Sequence, residues 1–254
     1  MRCINRLFSV KIINIMQVDF ANIPVDNVTL KESLDKLDEL IASQGPHLVV
    51  TPNPEMIVAA QEDNLLKQII KSAALRLPDG ISLVVVSRIL RRPLKERVAG
   101  IEFMLQAVRM ASLKHYRIYL LGGKPGIAQK AAESLKNSFP SLLIVGVHDG
   151  YFEHDGTIIN QIKAAQPDLL FAGLGAGRQE KWLAKYLKVL GVPVCVGVGG
   201  SMDVISGYKK RAPKIFRRLY IEWLYRLVTE PWRWKRQLAL PKFLWLVFTK
   251  GLKG

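Results

Sequence analysis

Two polar stretches, each following an apolar run, hold the side chains best suited to chemistry. Thr51-Pro52-Asn53-Pro54-Glu55 comes directly after Leu48-Val49-Val50, and Leu77-Pro78-Asp79-Gly80 closes the same region. A strand that hands its last residues to a Pro-punctuated polar loop is how open α/β sheets present ligand-binding groups. Pro52 and Pro54 stiffen the backbone around Asn53, so Thr51 and Asn53 are expected at a set place and not on a mobile tip. Asp79 is the residue expected to carry the chemistry. The competing reading is structural, because Pro-Asp-Gly is also a common turn in which the Asp caps the helix that follows.

Three further junctions run strand, glycine, helix: Gly122-Gly123 after Arg117 to Leu121, Gly173-Leu174-Gly175-Ala176-Gly177 after Asp168 to Ala172, and Gly199-Gly200 after Val192 to Val198. Such junctions are expected to leave free backbone N–H groups at a positive helix terminus, ready for phosphate. They specify an anion without saying which. Gly173-x-Gly175-x-Gly177 is not the dinucleotide fingerprint, whose third glycine falls one place later, and no acid is placed for a ribose after Gly122. NAD is therefore not expected, and neither a P-loop nor an HExxH helix occurs. Asp-x-Asp, the usual way a sugar-nucleotide enzyme holds a divalent cation on its pyrophosphate, is also missing. A nucleotide diphosphate bound here would be neutralised by N–H groups and arginines; no metal site and no cofactor are expected.

The elements that must position these residues read as an α/β chain. Val18 to Val25 alternates like a strand or hairpin arm. Thr29 to Ser43 is an amphipathic helix whose Thr29 and Glu32 form a capping box. Strands are expected at Leu48–Thr51, Leu75–Leu77, Arg117–Leu121, Leu142–Val147, Asp168–Ala172 and Val192–Val198, with helices between them. That alternation implies a parallel, twisted sheet covered on both faces. Arg88, Arg91, Arg92, Lys95 and Arg97 read as a solvated basic edge. Arg97 is the exception to watch, because it abuts Gly100, where the chain turns into its next helix.

The chain has 254 residues, is 49% hydrophobic and carries a net charge of +16. From Lys209 onward there are thirteen Lys or Arg against Glu222 and Glu230, so +11 of that charge sits in the last fifth of the chain. The expected division is an α/β core over 1–207 and a basic helical appendage over 208–254. In the appendage Pro213 to Val228 reads as an amphipathic helix. Pro231 and Pro241 are expected to bound shorter helices over Trp232–Leu240 and Lys242–Lys250. Trp223, Trp232, Trp234 and Trp245 lie among its cations, the texture of an element resting in an anionic membrane interface. A helical lid or dimer arm is the alternative. Nucleic acid is not expected, since no recognised module accompanies the charge. Met1 to Met16 lacks the uninterrupted apolar core of a signal peptide, and no stretch has the roughly 18–20 apolar residues that span a bilayer. Cys3 and Cys195 have no ligand-like neighbours, which fits a reducing compartment.

With these motifs in hand, the chain resembles the WecG/TagA/CpsF family of bacterial glycosyltransferases (family 26) from about Val18 to Leu240. The resemblance rests on the Thr51–Glu55 and Leu77–Gly80 stretches, Arg97-Val98-x-Gly100, Leu121-Gly122-Gly123, Gly173-Leu174-Gly175 with Gln179-Glu180-Lys181-Trp182, and Gly197-Val198-Gly199 with Asp203. The tail adds Lys210-Arg211-Ala212-Pro213, Glu222 to Leu227, and Glu230-Pro231-x-Arg233. It implies a Rossmann-like core of the GT-E type with a membrane-associating C-terminal appendage, working at the cytoplasmic face of the cell membrane. It implies transfer from a UDP-sugar to a polyprenyl-diphosphate-linked sugar, with inversion and without a metal. In the TagA branch, the best match, N-acetylmannosamine goes to the 4-hydroxyl of undecaprenyl-diphospho-N-acetylglucosamine, building the wall teichoic acid linkage unit. N-acetylmannosamine uronic acid and glucose are the alternative donors, and a non-catalytic UDP-sugar-binding module that docks to membranes is the alternative function.

By the same resemblance Asp79 is the general base, and Thr51 and Asn53 contact the nucleotide-sugar end. Gln179 and Asp203 hold the uridine side, and Arg226, Arg233 and Arg236 close over the pyrophosphate. Arg97, Gly122, Gly123, Gly173 and Gly175 complete the implied substrate-binding set. The chain departs from the family pattern at Gly177, where proline is usual in Gly-x-Pro-x-Gln-Glu, which implies a looser loop. The apolar face under the tail is expected to pair copies of the chain when no lipid is present.

Overall fold

The computed structural model describes residues 15–43, 45–218, 222–231, 234 and 238–250, with the backbone alone at 217, 226 and 250. Cys3, most of the Met1–Met16 segment, and most of the expected Trp232–Leu240 helix lie outside the described residues.

The chain opens with a hairpin of β1 (Gln17–Phe20) and β2 (Ile23–Asp26), turned by Ala21 and Asn22 at φ 53° and 65°. Two left-handed residues make the turn whose twist matches that of the flanking strands. Next come α1 (Leu30–Ala42), β3 (His47–Val50), α2 (Pro54–Glu62), α3 (Asn64–Ser72), β4 (Leu75–Arg76), α4 (Ile81–Ile89) and α5 (Gly100–Lys114). The second half runs β5 (Arg117–Gly122), α6 (Ile127–Ser138), β6 (Leu143–His148), α7 (Asp155–Ala165), β7 (Leu169–Gly173), α8 (Arg178–Leu190), β8 (Val194–Gly197) and α9 (Ser201–Ile205). The tail contributes α10 (Lys214–Arg218), α11 (Glu222–Thr229) and α12 (Ala239–Lys250). The α1 capping box forms as expected: Glu32 N–H donates to Thr29 Oγ1 at 3.2 Å, and Thr29 N–H donates to the Glu32 carboxylate at 2.8 Å.

The six main strands form one parallel sheet in the order β4-β3-β8-β7-β5-β6. Strands buried on both faces lose the polar alternation of a half-exposed sheet. Leu48, Val50, Leu121, Leu170 and Cys195 point to one face, against α2, α3, α7 and α8. Val49, Leu120, Phe171, Val194 and Val196 point to the other, against α1, α5 and α6. The helices leaving β5 and β7 thus go to opposite faces. Their connecting loops diverge and open a crevice at the carboxyl edge of the sheet, the place where such folds bind ligands.

Two features brace this edge from outside. Asp26 on the hairpin and Arg76 on β4 are both buried. The Asp26 carboxylate accepts the Arg76 backbone N–H at 2.7 Å and faces Nη1 at 3.3 Å. This fixes β4 just ahead of Asp79. The second brace is α12, which packs on α2 and places Phe243 and Val247 wholly inside the core, with the Phe243 ring 5.9 Å from that of Phe20. Pro241 does not bound a helix here, contrary to expectation: it sits in the first turn of α12, where a missing N–H has no partner to lose. No helix among the described residues is long and apolar enough to cross a membrane.

Candidate active site

The loops after β3 and β4 are laced together by backbone bonds. Leu77 N–H donates to Val50 O, Asp79 N–H to Pro52 O at 3.0 Å, and Val98 N–H to Pro78 O at 3.0 Å. Asn53 caps α2, its Oδ1 accepting Met56 N–H at 2.9 Å with Pro54 at the first helical position. Thr51 is nearly buried, and its hydroxyl donates to Gly197 O at 3.4 Å, tying β3 to the end of β8. The N-cap of α4 is Gly80, at φ 136° and with no side-chain cap bond. The Asp79 carboxylate, 28% exposed, stands instead beside the first residue of α5, where a Cβ on Gly100 would lie 3.5 Å from Oδ2. Arg97 faces it, with Nε 3.9 Å from Asp79 Oδ1.

The glycine junctions across the cleft are built differently. A Cβ on Gly122 would lie 2.4 Å from Gly173 O, and one on Gly173 would lie 2.6 Å from Gly199 O. These three strand ends touch through bare backbone, a spacing that any side chain would force apart. Three of the N–H groups at these junctions are engaged, contrary to expectation. Gly123 N–H donates to Gly173 O, Gly199 N–H to Gln179 Oε1 and Gly177 N–H to the Glu180 carboxylate at 2.6 Å. Close packing consumes the donors that an open turn would offer. At Gly177, φ is +80° and the N–H is bonded; proline supplies neither, so this loop is shaped differently from one with proline there.

Gln179, at the edge of the cleft, and Glu180, behind it, are almost entirely buried. Gln179 Nε2 donates to Glu180 Oε1 at 2.7 Å while its Oε1 holds Gly199, so the amide bridges the loops after β7 and β8. Burial pushes the Glu180 carboxyl up against the pull of its hydrogen bonds. The cations are on the rim. Lys124 follows the Gly122-Gly123 turn, with Nζ 3.2 Å from the Tyr208 hydroxyl, whose hydrogen bond raises the ammonium. Lys209 Nζ pairs with Asp203 at 3.0 Å, and Arg178 reaches Gly150 O at 3.4 Å.

Both sets of residues line one cleft of about 750 Å³, roofed in part by Glu222, Trp223 and Leu240 of the tail. The volume is within the usual range for a small-ligand pocket, about 300–1,000 Å³. A carboxylate on one wall and cations on the other can deprotonate a nucleophile and hold an anionic leaving group in the same space. Among the described residues, no three His, Cys, Asp or Glu side chains gather to hold a cation.

The sequence model described as "Glycosyl transferase WecG/TagA/CpsF family" matches residues 18–254. The chain belongs to this family. It is 37% identical over 223 residues to the N-acetylglucosaminyldiphosphoundecaprenol N-acetyl-beta-D-mannosaminyltransferase of Bacillus subtilis (strain 168), covering 87% of each chain. The enzyme of the same name from Bacillus spizizenii (strain ATCC 23059 / NRRL B-14472 / W23) is 38% identical over 196 residues, 77% of this chain and 76% of its own. That of Staphylococcus aureus (strain NCTC 8325 / PS 47) is 32% identical over 237 residues, 92% and 93% of the two chains.

Within this WecG/TagA/CpsF chain, the cleft gathers Thr51, Asn53, Asp79, Arg97, Gly123, Gly173, Gly175, Gln179 and Asp203. Gly122 lies just behind, as the contact point with Gly173. Arg226 is on α11 with its side chain outside the described residues, and Arg233 and Arg236 lie outside them altogether. Sequence reasoning missed Lys124, Arg178, Lys209 and Glu222 as cleft residues. Lys124 was signalled by its place after the Gly-Gly turn; Glu222 had only its motif, since its partner Arg97 is 125 positions away.

Proposed function

We propose that the chain transfers N-acetylmannosamine from its UDP donor to the 4-hydroxyl of undecaprenyl-diphospho-N-acetylglucosamine, with inversion and without a metal, to form the wall teichoic acid linkage unit. The names of its relatives support the donor sugar and acceptor. The observation that carries the mechanism is a partly exposed Asp79 on the wall opposite the rim cations. Asp79 takes the proton of the acceptor hydroxyl as that oxygen bonds to the anomeric carbon from the face opposite UDP. The bond from that carbon to the β-phosphate oxygen breaks, and UDP leaves. General-base assistance of this kind is worth roughly 10²–10⁴-fold.

The Gly123, Gly177 and Gly199 amides are engaged, and side chains take up charge growing on the departing diphosphate. Lys124 and Arg178 do so from the core, and Lys209, Arg226, Arg233 and Arg236 from the tail, with Gln179 and Asp203 toward the uridine and Thr51 and Asn53 toward the sugar. Residues 208–254 work as one unit. Exposed Trp223, Trp234, Trp245 and Phe248 among its cations support a seat on the anionic cytoplasmic leaflet. Without lipid, the same apolar face would pair two copies of the chain.

Asp79→Asn is expected to lower transfer by 10²-fold or more, a magnitude of about the general-base contribution, while UDP affinity is kept. Equal loss of both would make Asp79 a structural residue. A panel of UDP-sugars assayed on a short-chain polyprenyl-diphospho-N-acetylglucosamine should select UDP-N-acetylmannosamine and be indifferent to EDTA.

A further inference from the structure

Helix α4 buries one side in the core and turns an unusual face outward. Leu83, Val84, Val86 and Ser87 point in, whereas Val85 and Ile89 are 47% and 60% exposed. Arg88 is exposed between them, and residues three and four apart share one stripe of a helix. Arg91 and Arg92 are exposed in the turn that follows, and no acid occurs from Ile81 to Lys95.

That turn is firmly held. Arg91 takes φ 58°, Arg92 N–H donates to Ser87 O at 2.9 Å, and the buried Ser87 hydroxyl accepts Leu94 N–H at 2.9 Å. Asn27 grips it from the other side, its Oδ1 accepting Lys95 N–H at 2.7 Å and its Nδ2 donating to Pro93 O at 3.2 Å. Lys95 is paired with Glu32. Among the described residues no salt bridge joins Arg88, Arg91 or Arg92 to an acid. Three like charges are thus fixed close together, with two apolar side chains beside them and no counter-charge from the core. An anionic surface complements them.

The stripe belongs to the cleft side of the molecule. Ile81 and Ser82 at the start of α4 line the same cleft as Ala239 and Leu240 at the start of α12. Both helices send their inner residues into one core on one face of the sheet. A helix that shows apolar residues among cations is suited to lie at the surface of anionic lipid.

We propose that the outer stripe of α4 and the turn after it form a seat on an anionic bilayer, made by the α/β core and distinct from the tail. For its purpose the inference rests on the reading of a lipid-borne acceptor. Asp79 and Gly80 lead directly into α4, so seating this helix sets the height of the Asp79 loop above the leaflet.

The test uses full-length protein carrying Cys3→Ser and a polarity-sensitive fluorophore on Val85→Cys, with phosphatidylcholine vesicles that contain or lack phosphatidylglycerol. Cys195 is fully enclosed and takes no label. The control carries its label on Leu113→Cys, exposed near the end of α5 over the opposite face of the sheet. With phosphatidylglycerol the Val85 label should shift to the blue and the Leu113 label should not, and salt should reverse the shift. Arg88→Gln, Arg91→Gln and Arg92→Gln together should weaken sedimentation with these vesicles about a hundredfold, roughly fivefold for each cation at an anionic surface. The triple variant should keep its urea midpoint and its turnover of short-chain acceptor without vesicles.

A Val85 label that stays in water while the protein sediments with vesicles overturns the proposal. So does equal binding to both kinds of vesicle, or a triple variant weakened less than about fivefold. A blue shift without lipid that grows with protein concentration also overturns it, because a second copy then covers the stripe. Loss of vesicle-free turnover in the triple variant overturns it by placing these arginines in the reaction. If the parent protein transfers no sugar at all, the reading of the acceptor fails, and the lipid seat is still decided by the label.

Discussion

The wall over β3 and β4 and the floor over β5, β7 and β8 solve the problem of placing groups in opposite ways. The wall is specified by side chains: Asn53 caps a helix, Thr51 bridges two strands, and Asp79 is held by backbone bonds on either side. At the floor Gly122, Gly173 and Gly199 meet backbone to backbone, with the side chains of Gln179 and Glu180 holding the loops from behind. One region fixes side chains at the cleft and the other brings loops close together, with cations at the rim; on the proposed function these are the reactive wall and the ligand floor. Glycine at a strand end therefore need not mean a free amide; here it means that three loops share one small volume.

That contrast can be broken from either side. The largest effect is expected from Asp26→Ala, which leaves the Arg76 guanidinium buried without its carboxylate. Removing one member of a buried pair costs about 3–5 kcal/mol. Urea unfolding should register that loss, and turnover of the remaining folded protein should fall more than its UDP affinity. Gly122→Ala comes next, at about 2–4 kcal/mol, from strain at φ +138° and collision with Gly173 O. Its mark should be the reverse, a loss of UDP affinity by calorimetry that exceeds the loss in turnover at saturation. If both variants lower binding and turnover in equal proportion, the two regions are not functionally distinct.

Much of this was legible in the sequence because it is local. The Thr29/Glu32 capping box, the strand–glycine–helix rhythm and the Pro-stiffened loops at Thr51 and Asp79 all depend on residues a few places apart, and each formed. Long-range choices were not legible. Nothing in His47–Val50 announces that it pairs with Val194–Gly197, yet that pairing carries Thr51 to Gly197. The Arg97–Glu222 contact likewise needs the tail to fold back. The engaged glycine amides were hidden for the same reason, since their acceptors, Gly173 O, Gln179 and Glu180, are fixed by loop packing. Pro241 was misread because a rule about helix interiors was applied to a first turn.

The smallest expected effect concerns pH. Burial raises the Glu180 carboxyl above its ordinary value of 4.5. The folded protein therefore holds that proton after the unfolded chain has released it. The stability it contributes is full below about 4.5 and is lost as pH rises through the folded value. Glu180→Gln should flatten the fall in denaturant midpoint above pH 4.5, while a slope identical to the parent would show that the carboxyl is not raised.

Cys195 lies on β8 directly between Leu48 of β3 and Leu170 of β7, fully enclosed, and its thiol is pushed up to about 12 by burial. A thiol so placed is inert until the strands on either side of it separate. With Cys3 replaced by serine, the uptake of a maleimide becomes a clock for the seam between wall and floor. Any ligand that spans both should slow that clock; one that grips only a single side should leave it running.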